Sequence, residues 1–97
     1  MTRSIHRSAE NDLAEAFRYY KVEAGSGVAR RFLEEFERVV RLLESNPGFG
    51  TPTSAGRRRF LLTGYPYSVI YRETDTGIRV LVIRHQRRVP SLGEGRT

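Results

Sequence analysis

The chain has 97 residues, of which 38% are hydrophobic, 10% aromatic and 29% charged; 17 Lys+Arg against 11 Asp+Glu leave a formal charge of +6. That length suits one compact domain over residues 1–97, and the apolar and aromatic content excludes a disordered tail. With no cysteine, a disulfide scaffold, a zinc–thiolate site and a cysteine nucleophile are excluded.

The opening Met1-Thr2-Arg3-Ser4-Ile5-His6 lacks the apolar core of a signal peptide. The longest aliphatic run, Val80-Leu81-Val82-Ile83, is far short of a membrane span. A soluble, cytoplasmic protein with no membrane partner is expected. The charge is unevenly placed: residues 1–56 hold eight basic and eight acidic side chains, whereas residues 57–97 hold nine basic and three acidic. All of the +6 therefore belongs to the second part of the chain.

In chain order, residues 2–7 are short and β-permissive. Ser8 offers an N-cap hydroxyl, and Glu10 and Asp12 suit the positive end of a helix dipole, so a helix is predicted over about 9–24. Leu13, Phe17, Tyr20 and Ala24 recur at helical spacing along one face. Gly25-Ser26-Gly27 breaks the pattern, and a second helix over about 28–44 carries Phe32, Phe36, Val39, Val40 and Leu43. So short a turn makes the two helices antiparallel. Residues 46–56 hold three Gly and two Pro and read as a connection.

Beyond it the period changes to two, with strands predicted over 58–63, 67–73 and 78–85. The fold class is α+β in the order β-α-α-β-β-β: an N-terminal helical hairpin packed on a three- to four-stranded antiparallel sheet, the fourth strand coming from the N-terminal segment. Strict alternation sets Val69 and Tyr71 against Ile70, and Ile78, Val80 and Val82 against Leu81 and Ile83. Both faces of the sheet are thus apolar, and two helices cover only one. The other needs either a partner or the tail Val89 to Leu92 folded back; residues 91–97 read as a flexible tail.

The run Tyr65-Pro66-Tyr67-Ser68-Val69-Ile70-Tyr71-Arg72, followed by an acidic turn and by Arg84-His85-Gln86-Arg87-Arg88-Val89-Pro90, resembles the RelE/ParE superfamily of toxins from type II toxin–antitoxin modules. It is most similar to the ParE-like branch, and Ser8-Ala9, Asp12-Leu13, Tyr19-Tyr20 and Asn46-Pro47-Gly48 also fit. The resemblance covers residues 2–90. It departs at the end, where the family often carries aromatics and this chain has Ser91-Leu92-Gly93-Glu94-Gly95-Arg96-Thr97.

The resemblance implies a bacterial toxin that arrests growth by binding DNA gyrase, with no cofactor or metal. It also implies neutralisation by a cognate ParD-like antitoxin, acidic and partly disordered when free. The alternative is a RelE-like, ribosome-dependent, metal-independent messenger-RNA endoribonuclease, which needs a base, an acid and cations around the phosphate. Its candidates are Arg59, Arg84, His85 and Arg87. However, the position where family nucleases carry an arginine falls on Ser68, and no tyrosine follows Tyr71. A toxin-fold protein that has lost toxicity is a third reading, prompted by the departing tail. The residues expected to bind the target or partner are Arg57, Arg58, Arg59, Arg84, Arg87 and Arg88, gathered on one sheet edge.

Overall fold

A computed structural model describes residues 2–87, 93 and 95–97. The order is β1 (Thr2–Ile5), α1 (Arg7–Ala24), α2 (Ser26–Ser45), β2 (Thr51–Pro52), β3 (Arg57–Leu61), β4 (Tyr67–Glu73) and β5 (Gly77–His85), with 3₁₀ turns at Pro47–Phe49 and Ser54–Gly56. The five strands form one sheet in the order β1-β5-β4-β3-β2. The α+β class agrees with expectation, but the sheet is mixed. The N-terminal strand pairs parallel with β5, and the connection predicted over 46–56 contributes β2 against β3.

The first helix starts earlier than predicted. His6, and not Ser8, is its N-cap: the His6 Nδ1 accepts from the Ser8 backbone N–H at 3.1 Å. Gly25, at φ 92°, ends α1 and lets α2 begin one residue later. Ala9 and Ala16 are buried where α1 approaches β5, with Leu13 and Tyr20 half-buried beside them. Phe17, expected in the core, is only half-buried and lines a surface groove, and Ala24 is exposed. The second helix buries Ala29, Phe32, Phe36, Val39, Val40 and Leu43. All of these but Ala29 cluster with Tyr67, Val69, Tyr71, Ile78, Val80 and Ile83 on the inner sheet face.

The β5 register corrects the sequence reading. Ile70 pairs with Val82 but Tyr71 pairs with Val80, so Leu81 is the extra residue of a β-bulge. The bulge reverses the alternation beyond it. Ile78, Val80 and Ile83 join the helix-side core, whereas Leu81 and Val82 form a second buried cluster with Ile70. Residues 89, 90, 91 and 92, one of the two expected covers of that outer face, lie outside the described residues. Gly93 is buried against it: a Cβ there would lie 3.0 Å from Val82 and 3.4 Å from Leu81.

Beyond Val80, β5 has no strand neighbour on its β1 side, and unpaired edges invite foreign strands. Here Asp12 Oδ2 accepts from the Ile83 N–H, and Arg96 donates to the Leu81 carbonyl while pairing with Asp12 at 2.8 Å. The edge is capped by one residue from each end of the chain.

Candidate functional site

Strand register divides the predicted arginines between two faces. Arg57, Arg72 and Arg79 stand side by side across β3, β4 and β5 on the outer face. Like charges so placed repel unless acceptors intervene. The C-terminal residues supply them: Arg57 donates to the Gly93 and Arg96 carbonyls, at 3.2 and 2.9 Å, and Arg72 and Arg79 both donate to the Thr97 main-chain oxygen at 2.9 Å. This arginine row therefore serves as a clamp on Gly93, Arg96 and Thr97.

Arg58 faces the other way. Its guanidinium donates to the Gly50 carbonyl at 2.9 Å and to the Gly48 carbonyl at 3.3 Å, fixing the turn after α2. The buried Tyr71 completes that anchor, donating to the Pro47 carbonyl and accepting from the Gly50 N–H. Burial raises the Tyr71 phenol above its ordinary value, which keeps it protonated and able to donate.

Two arginines remain together. Arg59, on β3, and Arg84, on β5, flank Ser68 of β4 in an outer-face cleft of about 300 Å³ that Leu61 and Gln86 also line. Ser68 sits directly between Leu61 and Arg84 in register and is buried. Arg59 is exposed and Arg84 half-buried, and the Arg84 Nε is buried with no hydrogen-bond partner. Arg87 is exposed in the turn after β5; Arg88 lies outside the described residues.

His85 does not join them. It follows Arg84 on the strand and so faces the helices, its ring 5.0 Å from Tyr67 in an edge-on contact. There it lines a separate cleft of about 200 Å³ with Asp12, Glu15, Tyr19 and Tyr67. Its Nδ1 accepts from the Arg87 backbone N–H at 3.1 Å, which in the neutral ring leaves the proton on Nε2. The sheet thus separates the one imidazole of the expected set from the Arg59–Arg84 pair. Tyr65 and Tyr67 belong to an aromatic cluster with Tyr20 and Phe32, at centroid distances of 5.2 to 6.1 Å. Burial there pushes the Tyr20 phenol up to about 12.

Gln86 is a site residue that the sequence reading does not single out, and Asp12 is one that it places elsewhere. Asp12 reads as a helix-dipole acid, and only the fold brings it to the edge of β5.

Residues 4–90 match the family described as the ParE toxin of the type II toxin–antitoxin system parDE. The chain belongs to the ParE toxin family. Two curated relatives, each named Toxin ParE2 and from two strains of Mycobacterium tuberculosis, are 33% identical over 90 residues, covering 93% of this chain and 86% of theirs. A solved structure titled as the chromosomal ParDE TA system from P. aeruginosa superposes with a TM-score of 0.77 at 27% identity, covering 88% of this chain and 95% of that one. The ParE-like branch expected from residues 65–88 is therefore the family found. Among the described residues, no helix is long and apolar enough to cross a membrane.

Proposed function

We propose that this ParE-family chain arrests growth in the bacterial cytoplasm by binding DNA gyrase as a protein inhibitor. The observation that carries the reading is the division of the site by the sheet. His85 lies on the helix side, Arg59 and Arg84 lie on the outer side, and Ser68 lines the cleft that the two arginines share. A general acid–base pair must lie within hydrogen-bond reach of one reacting group, and this geometry supports binding over cleavage. The test is a supercoiling assay with purified gyrase. The chain should block supercoiling and leave cleaved DNA trapped; full supercoiling at excess chain removes the reading.

A cognate antitoxin neutralises the toxin in this proposal. The groove lined by Ile5, Leu13, Phe17 and Leu33, with the charged Glu10, Arg18 and Lys21, suits an amphipathic helical segment whose acidic residues meet the two cations. The second reading, the ribosome-dependent endoribonuclease, draws on the free Arg59–Arg84 pair. Toeprinting of translated messages decides it, since new cuts that vanish in Arg87→Ala or His85→Ala would establish a nuclease.

A further inference from the structure

We infer that the outer-face cleft between Arg59 and Arg84 receives a carboxylate side chain of the toxin's protein target; this rests on the protein-binding reading above.

Five arginines lie on the outer face of β3, β4 and β5, and their engagement differs along the strands. Toward one end, Arg57, Arg72 and Arg79 are occupied by main-chain oxygens of Gly93, Arg96 and Thr97. Toward the other, Arg59 and Arg84 have no acceptor among the described residues; the buried Nε–H of Arg84 is unpaired, as is that of Arg57, but the Arg57 Nη groups find carbonyls and those of Arg84 do not. A buried donor without a partner is costly and uncommon in a folded protein. Two guanidinium groups, the Ser68 hydroxyl and the Gln86 amide around about 300 Å³ make a site rich in donors. Such a set fits a planar anion, which arginine binds through paired N–H groups.

Which anion follows from the neighbours. A nucleic-acid backbone needs a track of free cations, and among the described strand residues of this face Arg59 and Arg84 alone are free, since Arg57, Arg72 and Arg79 are engaged within the chain. Beside the pair stands Leu61, 50% exposed and next to Ser68 in register. An apolar side chain against a cation pair matches a peptide in which an acidic residue adjoins an aliphatic one. The cleft lies across the sheet from the helical groove assigned to the antitoxin, so both sites are open together.

The experiment is an NMR titration of the ¹⁵N-labelled full chain with three probes: acetyl-Gly-Leu-Glu-Leu-Gly-amide, its Gln counterpart, and a thymidine dinucleotide carrying one phosphodiester. The Glu peptide should shift the Leu61, Ser68, Arg84 and Gln86 amides saturably, and the Gln peptide should bind about tenfold or more weakly, the loss of one charge-assisted pair. Arg59→Gln and Arg84→Gln should each weaken the Glu peptide similarly, with Arg59→Lys restoring it only in part. Equal binding of the Glu and Gln peptides, unchanged binding in both variants, or stronger binding of the dinucleotide would each overturn the inference. A parallel supercoiling assay separates the two claims. Wild-type chain that inhibits gyrase while Arg59→Gln/Arg84→Gln inhibits equally well sinks the cleft and spares the gyrase reading. Wild-type chain that never inhibits sinks the gyrase reading, and the peptide titration then decides the cleft on its own.

Discussion

Tyr71 couples the sheet to the loop that follows α2. Its hydroxyl donates to the Pro47 carbonyl at 2.7 Å and accepts from Gly50 N–H at 2.9 Å, while a Cβ at residue 50 would lie 2.5 Å from that hydroxyl. Tyr71→Phe leaves the Gly50 N–H buried without an acceptor, so chemical denaturation should show a loss of about 1–3 kcal/mol. An unchanged midpoint would show the loop to be held by Arg58 alone. A second expectation at this scale concerns acid. The side-chain hydrogen bonds from Arg3 to Glu37 and from Arg38 to Glu35 hold both carboxyls below the ordinary glutamate value. A group whose folded value is depressed adds stability that is complete above its unfolded value and is lost as pH falls through the folded one. The midpoint should therefore be level above about pH 5 and decline below the unfolded glutamate value of about 4.3. Glu37→Gln should shallow that decline, measured by denaturation at a series of pH values; an identical slope would mean that the ion pair with Arg3 is not coupled to folding.

Among the elements, β1 depends on one glycine. A Cβ at Gly77 would lie within 3 Å of three Thr2 backbone atoms. The Thr74-Asp75-Thr76-Gly77 turn reads in the sequence as hairpin chemistry, yet Gly77 is required by the parallel strand that lies against it. Gly77→Ala should cost roughly 1–3 kcal/mol, as overpacking does, and hydrogen exchange should quicken at Thr2–Ile5 and not in β4. Uniform quickening would contradict this local account. The same elements show where sequence reading succeeds. The heptad-like stripe of α2 and the run 67–73 were legible because their spacing reports burial directly. The bulge at Leu81 was not, because both sheet faces are apolar there and a slip of one residue leaves the side-chain pattern unchanged. Nor was the loss of Arg57 to the Gly93 and Arg96 carbonyls, contacts 36 and 39 residues away that only folding brings together.

At the scale of the whole molecule, the +6 resolves into parts with different duties. Residues 1–56 are neutral by count and make pairs among themselves, such as Arg3 with Glu44 and Arg41 with Glu37. The excess lies on the sheet, where some arginines bind the chain to itself and Arg59 and Arg84 stay open. Counting charge along the sequence located the surface but did not separate clamp from site. Because electrostatic docking is screened by salt, inhibition through the open pair should weaken as ionic strength rises. On the function proposed above, this ParE-family chain binds gyrase and does not cut RNA. Purified chain added to purified gyrase and relaxed plasmid tests it most directly: supercoiling should stop and cleaved DNA accumulate, whereas full supercoiling at excess chain would contradict the account.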